Sequence, residues 1–214
     1  MKVVVGNAIL SRADKKMIIT QVICEILRVE SVEAKTASSQ DAIIVRVRTD
    51  TGLEGIGEAD SSPEVVQAII DAPFSHNIAS GLREILLGEN PLETGRLWDK
   101  MYRQTMYFGR SSVTISAMAA IDMALWDAVA RTNKSTVAEF CGATLRSHRA
   151  YAVIGFDGPG DSAAVAEKWV RQGFTGVKAR VGYPTVEDDR DVIRAIRGAV
   201  GDDIAIMVDY NQSL

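Results

Sequence analysis

Apolar and polar positions alternate between residues 18 and 59, and a helical spacing takes over further along the chain. The alternation predicts strands at 18–29, 42–48 and 53–59. Asp50, Thr51 and Gly52 favour a tight turn, so we expect the second and third strands to form a hairpin. Apolar residues repeated every three or four positions then predict helices at 63–70, 78–87, 92–107 and 112–131.

From residue 149 onward, predicted strands and helices alternate. The strands fall at 150–154, 174–180 and 204–211, and the helices between them at 162–172 and 188–200. A strand–helix–strand unit of this length joins parallel strands through a right-handed crossover. Repetition of the unit predicts a (β/α) barrel, of which about three of eight strands are present.

These patterns divide the chain into three parts. We predict a loosely ordered extension at 1–16, an α+β domain at 17–146 and the start of a TIM-type β/α barrel at 147–214. In β/α barrels, chemistry collects at the carboxyl ends of the strands.

Polar residues stand at two of those ends. Lys178 and Arg180 share a strand face by their i, i+2 spacing, and so do Asp209 and Asn211. Two adjacent cations disfavour each other's charge, which predicts a lowered pKa for Lys178 and a lysine able to take a proton from carbon. A carboxylate on the next strand is a plausible hard-metal ligand. Taken alone, these residue types favour a second interpretation, a structural salt-bridge cluster.

The sequences around both pairs resemble a known family. Val-Lys-Ala-Arg-Val-Gly at 177–182 and Met-Val-Asp-Tyr-Asn-Gln at 207–212 resemble the enolase superfamily, and within it the mandelate racemase / muconate lactonizing enzyme group. There a Lys-x-Lys or Lys-x-Arg pair ends the second barrel strand and an Asp-x-Asn pair the third. Residues 117–127 resemble the amino-domain signature of the group. The resemblance covers 17–214 and implies an α+β capping domain followed by an incomplete barrel.

The resemblance also implies roles for single residues. Lys178 and Arg180 would be catalytic, with Lys178 as general acid/base or carboxylate partner, and Asp209 would be the first Mg²⁺ ligand. Asn211 would contact the substrate. Glu58 ends the hairpin whose following loop closes over the substrate in this group, although a plain hairpin exit explains it nearly as well. Arg180 replaces the second lysine of mandelate racemase itself and favours dehydration over racemisation, because arginine stays protonated.

The function implied is the amino-terminal part of a Mg²⁺-dependent enzyme that abstracts the α-proton of an α-hydroxy carboxylate through an enediolate. It would be a lyase or isomerase, either an acid-sugar dehydratase or a racemase similar to mandelate racemase. The group's other metal ligands would lie beyond Leu214, so we expect a truncated chain that is inactive alone. The alternative is a non-catalytic oligomerisation or binding module built from the capping domain.

Composition narrows the possible partners. The 214 residues carry a formal charge of -4 and a pI near 5.3, which disfavours nucleic acid. We expect no apolar run to reach the length of a membrane span. Cys24 and Cys141 are predicted to be reduced core residues of a cytoplasmic protein. Beside a small carboxylate substrate, we expect a homo-oligomer.

One helix also carries two acidic residues in an apolar setting. Asp122 and Asp127 lie within the helix predicted at 112–131. An acid/base pair is one interpretation, but we expect these side chains to cap the helix or pair with basic neighbours.

Overall fold

A computed structural model of the protein describes residues 17–31, 40–144 and 146–211. Its first three strands form an antiparallel sheet. They are β1 (Ile19–Arg28), β2 (Asp41–Thr49) and β3 (Glu54–Ala59), paired in the order β1-β2-β3. The predicted hairpin between β2 and β3 is confirmed: the Thr49 N–H donates to the Leu53 carbonyl oxygen at 3.0 Å. The extension predicted at 1–16 lies outside the described residues.

Five α-helices follow in the described part of this first unit. They are α1 (Pro63–Asp71), α2 (Leu82–Leu86), α3 (Thr94–Gln104), α4 (Val113–Thr132) and α5 (Val137–Phe140). Helix α2 is shorter than the stretch predicted at 78–87. The reason is that His76 and Ala79 form a small antiparallel bridge around a tight turn at residues 77 and 78, so the helix begins only after the cap residue Gly81.

Helix α4 is the core of the first unit. Met118, Ile121 and Leu125 are fully buried, in agreement with the predicted apolar stripe. Among the described residues, α4 is the one helix that length and composition would allow to cross a membrane, with a mean hydropathy of 1.5. That corrects the expectation of no such run. Because 56% of the stretch is buried within the fold, it has the character of a core helix.

The second unit alternates strands and helices. Its elements are β4 (Ala152–Ile154), α6 (Gly158–Arg171), β5 (Gly176–Arg180), α7 (Val186–Val200) and β6 (Ala205–Asp209). The strands pair in parallel in the order β4-β5-β6. Their apolar face packs on the helices in one buried cluster: Ala152, Ile154, Ala166, Val177, Ala179, Val192 and Ile196. The fold is therefore an α+β part followed by three parallel strands of a β/α barrel, as predicted.

Helix α6 starts earlier than the sequence indicated. We expected a glycine-rich loop at 155–160 and an N-cap at Asp161, but the helix begins at Gly158. Pro159 occupies the first turn, where its missing N–H has no helical partner to lose. The Gly158 N–H donates to the Tyr183 hydroxyl at 2.7 Å, which anchors the new start.

The two cysteines differ in environment. Both are free. Burial, with the nearby Asp71 carboxylate, raises the pKa of the Cys24 thiol to about 11. Cys141 follows the four-residue helix α5 and is exposed, so its assignment to the core was wrong.

Strand β3 touches the backbone of α4 through two glycines. A Cβ added to Gly57 would lie 1.9 Å from the Ala120 carbonyl oxygen, and one added to Gly55 would lie 1.9 Å from the Ala124 carbonyl oxygen. No side chain fits at such distances, so the helix axis lies against the strand only because both residues lack a Cβ.

Gly57→Ala should therefore destabilise the protein by about 3 kcal/mol, the upper part of the range for overpacking a rigid contact. The matched control is Gly95→Ala in α3, where an added Cβ meets nothing within 4 Å. That change should stabilise by up to about 1 kcal/mol, because alanine favours helix. Urea unfolding followed by circular dichroism measures both. A Gly57→Ala protein as stable as the wild type would contradict the close approach.

Candidate active site at the strand ends

Strand β5 presents its two cations on one face. Val177 and Ala179 are fully buried, whereas Lys178 and Arg180 are half-buried on the opposite side of the strand. This alternation confirms that Lys178 and Arg180 share a face. Parallel pairing sets Arg180 opposite Asp209 at the carboxyl ends of β5 and β6.

Lys178 forms an ion pair across the strands. Its Nζ donates to Asp209 Oδ2 at 2.9 Å, with the two side chains 29% and 34% exposed. This hydrogen bond holds the pKa of Lys178 above its ordinary value, against the smaller opposing effect of desolvation. The predicted lowering of that pKa was therefore wrong, because the carboxylate on β6 contacts the ammonium directly and the charge of Arg180 does not.

The Asp209 carboxylate is stabilised in its ionised form. The hydrogen bond from Lys178 lowers its pKa most, followed by the hydrogen bond from the Asn211 N–H. That N–H donates to Asp209 Oδ1 at 2.7 Å. Both oxygens therefore have a partner, and each keeps a second lone pair for another donor or a cation.

Asn211 does not continue the strand. Strand β6 ends at Asp209, and Asn211 has a left-handed backbone with φ of 52°. The i, i+2 argument for a shared face with Asp209 was therefore wrong, because the chain turns before Asn211. Its main chain reaches Asp209 instead.

Arg180 rests on an aromatic pair. Its guanidinium carbon lies 5.6 Å from the ring centroid of Phe156, and this ring stacks on Tyr183 with centroids 3.8 Å apart. Within the described part of the chain, the buried Nε of Arg180 has no hydrogen-bond acceptor. A buried donor without an acceptor is costly, so this group favours the arrival of an anionic oxygen.

Glu58 belongs to the first unit. It lies on β3 opposite Ile44 and is exposed. Its assignment as a substrate contact stays a prediction. Lys178, Arg180 and Asp209 are the predicted residues that the second unit brings together.

The two acidic residues of α4 behave differently from each other. Asp127 Oδ2 accepts from Arg131 Nε at 2.8 Å and from the Ile56 N–H at 2.9 Å, which confirms a structural pairing. Asp122 hydrogen-bonds the Trp126 side chain instead of a basic group, and burial raises its pKa.

One buried acid escaped the sequence analysis. Asp189 in α7 is 7% exposed and accepts three hydrogen bonds, two from the Gly182 and Tyr183 N–H groups and one from the Tyr210 hydroxyl. The hydrogen bond from the Tyr183 N–H contributes most to lowering its pKa. A signal was present: Asp189 extends the buried helical stripe of Val192 and Ile196 by one turn.

Whether the described residues can bind Mg²⁺ depends on the oxygen ligands that they offer. Mg²⁺ takes six oxygen ligands in near-octahedral geometry. The ionised Asp209 carboxylate suits one of those positions. In residues 17–31, 40–144 and 146–211, no three His, Cys, Asp or Glu side chains come together as a possible metal site. The described residues thus fit the ion as one ligand of several.

Two known families match most of the chain. Residues 17–142 match the family described as Mandelate racemase / muconate lactonizing enzyme, N-terminal domain. Residues 161–214 match the family described as Enolase C-terminal domain-like.

Relatives of known function include both dehydratases and racemases. The chain is 31% identical over 177 residues to arabinonate dehydratase of Saccharolobus solfataricus, covering 80% of this chain and 45% of that protein. It is 32% identical to L-talarate/galactarate dehydratase of Salmonella typhimurium, with 79% and 42% covered. It is also 32% identical to N-succinyl-L-Arg/Lys racemase of Bacillus cereus, with 82% and 46% covered. The chain thus spans under half the length of these relatives.

Solved structures that superpose on the chain include a racemase and a cycloisomerase. A racemase from Streptomyces coelicolor with bound magnesium superposes with a TM-score of 0.79 at 26% identity, covering 92% of this chain and 56% of that one. The 3,6-anhydro-D-galactonate cycloisomerase of Zobellia galactanivorans gives a TM-score of 0.78 at 28% identity, with 92% and 52% covered. By fold and by sequence, the chain belongs to the mandelate racemase / muconate lactonizing enzyme group of the enolase superfamily.

Proposed function

We propose that this chain supplies the amino-terminal part of a Mg²⁺-dependent enzyme that moves the α-proton of an α-hydroxy carboxylate, with acid-sugar dehydration as the leading reaction. The observation that carries the proposal is the contact of Lys178 with Asp209 beside Arg180, at the carboxyl ends of neighbouring parallel strands. The relatives named arabinonate dehydratase and L-talarate/galactarate dehydratase support the substrate class.

Arg180 is assigned to the substrate carboxylate. Arginine stays protonated at any physiological pH, so it serves as a permanent anion receptor and not as a base. Its buried Nε lacks an acceptor in the described residues, and a carboxylate oxygen would satisfy it. Holding the carboxylate at this place fixes the α-carbon relative to Lys178 on the same strand face.

Lys178 is assigned to the proton at the α-carbon. While paired with Asp209 it is protonated, because the pair raises its pKa. In that form it gives a proton to the α-carbon or to a leaving hydroxyl, and after losing its proton it can remove one. The Tyr151 ring, whose centroid lies 5.8 Å from Nζ, limits the positions that this ammonium can take.

Asp209 is assigned to the metal. Bound Mg²⁺ would supply charge stabilisation at the substrate carboxylate when the α-proton leaves. Asp209 would be one of its oxygen ligands, and the others would have to come from outside the described residues. We therefore propose that these 214 residues are inactive alone. Asn211 and Glu58 complete the proposal as substrate contacts.

A second candidate is a non-catalytic oligomerisation or binding module. It is favoured by the single carboxylate at the strand ends, which leaves the metal site incomplete within the described residues. A genuine module should be soluble and unfold cooperatively, whereas a piece of an enzyme should aggregate, because Val153 and Val208 of its sheet are 56% and 53% exposed.

Activity tests the catalytic roles. With the protein as its gene encodes it, and with Mg²⁺ and a panel of acid sugars, we expect 2-oxo acid products. Lys178→Ala should lower kcat by about 10²-fold or more, the usual size of a general acid–base contribution. Arg180→Gln should mainly raise KM, because it removes a carboxylate contact. The control is Lys168→Ala, a change at an exposed residue of α6, which should leave both constants unchanged.

The proposal fails if folded Lys178→Ala protein turns over at the wild-type rate. Loss of activity in Lys168→Ala as well would show that any removed lysine is harmful, and the assignment would lose its support.

The ion pair also makes a prediction about titration. Lys178 has a raised pKa and Asp209 a lowered one, so the pair stabilises the fold most between about pH 4 and pH 10. Its contribution is lost as pH falls through the folded pKa of Asp209 or rises through that of Lys178. In Asp209→Asn the pKa of Lys178 should decrease, because the neutral amide no longer attracts the ammonium. NMR of ¹³C-methylated lysines in metal-free buffer measures this, and an unchanged or higher pKa would contradict it.

A further inference from the structure

A buried carboxylate in α7 contacts the loops that follow β5 and β6, close to the candidate site. Asp189 lies in the first turn of α7 and is 7% exposed. Its Oδ1 accepts the N–H groups of Gly182 and Tyr183 at 2.8 and 2.9 Å, and its Oδ2 accepts the Tyr210 hydroxyl at 3.0 Å. Three donors compensate the burial of one negative charge.

Capping of the helix does not explain these contacts. The neighbouring Asp188 already closes the capping box with Thr185, through hydrogen bonds in both directions. The oxygens of Asp189 are used on the two loops that follow β5 and β6. Asp189 therefore links the two loops to α7, and this role is separate from capping the helix.

One arm of this link leads to Arg180. The loop amides that bind Asp189 belong to Gly182, whose φ of 108° is left-handed, and to Tyr183. The Tyr183 ring stacks on Phe156, and the Phe156 ring lies under the guanidinium of Arg180. The Tyr183 hydroxyl accepts the Gly158 N–H at the start of α6, which fixes the far end of the stack.

The other arm leads to Asp209. Tyr210, whose hydroxyl donates to Asp189, directly follows Asp209 in the chain. The Val181 N–H donates to the Asp209 carbonyl oxygen at 3.1 Å and ties the same two loops together. One carboxylate thus contacts the chain two residues after Arg180 and one residue after Asp209.

We propose that Asp189 is a positioning residue that holds Arg180 and Asp209 at their working separation, without touching the substrate. Its consequence for catalysis rests on the proposed function, whereas its hold on the two loops can be measured without turnover. Loss of the carboxylate would free the amides of Gly182 and Tyr183 and let the aromatic platform beneath Arg180 shift.

NMR on the protein as its gene encodes it tests the hold directly. In Asp189→Ala, we expect amide hydrogen exchange at Gly182 and Tyr183 to become at least about tenfold faster, since each loses its acceptor. We also expect the Arg180 Nε–H signal to move, because the Phe156 ring current acts on it. Asp189→Asn keeps an acceptor oxygen and should restore most of the protection.

Two controls separate positioning from general stability. Val192→Ala removes buried volume from the same helix and should lower the melting temperature without moving the Arg180 signal. Asp191→Asn removes an exposed charge that pairs with Arg194 and should change neither readout. If Asp189→Ala does not fold, Tyr210→Phe takes its place. It cuts only the link to the β6 loop and should speed exchange of the Asn211 N–H while leaving Gly182 protected.

The inference is overturned if the loop amides and the Arg180 signal stay unchanged in Asp189→Ala, or if the Asn211 N–H stays protected in Tyr210→Phe. It is also overturned if Val192→Ala moves the Arg180 signal equally, since the effect would then be one of stability alone. Failure of the proposed function looks different: the loops respond as expected, yet the Lys178 and Arg180 variants leave turnover unaffected.

Discussion

The contact of Lys178 with Asp209 is the interaction on which the proposed chemistry depends. Parallel pairing brings the two strand ends side by side, and the 2.9 Å hydrogen bond keeps both groups charged. An ammonium and a carboxylate in contact form a site that can either move a proton or receive a cation, according to what else approaches. Arg180 stands outside this pair, over Phe156, and remains available to an anion. A cation, an anion receptor and a proton carrier can thus be placed within one strand-end cluster.

The helix-facing side of the sheet makes this cluster possible. Val177 and Ala179 are fully buried against the helices, so the residues between and after them must face the other way. Burial of Val177 and Ala179 in the apolar core therefore also fixes the direction of the Lys178 and Arg180 side chains. In the first unit a different constraint applies, because β3 and α4 approach through Gly55 and Gly57.

Much of this could be predicted from the sequence, since it depends on local periodicity. The strands of both sheets, the hairpin turn and the paired cations of β5 follow from spacing alone. The direction of the Lys178 pKa shift was predicted wrongly, because the sequence places both Arg180 and Asp209 near Lys178 and does not show which of them touches the ammonium. The strand predicted at 204–211 ends earlier, at Asp209, and Asn211 has a left-handed backbone. The sequence did not show this, because polar residues at a strand end are compatible with both strand and turn. Asp189 was missed because a buried acid shows its purpose only through the loops that it binds.

The most direct test of the account is the fate of the substrate α-proton. The protein as its gene encodes it would be incubated with Mg²⁺ and an acid sugar in D₂O, and the reaction followed by ¹H NMR. We predict that the α-proton signal disappears at the rate of turnover, with solvent deuterium in the product, and that Lys178→Ala abolishes this loss. Turnover that retains the α-proton, or an exchange that is indifferent to Lys178, would contradict the claim that this strand end carries out proton chemistry at carbon.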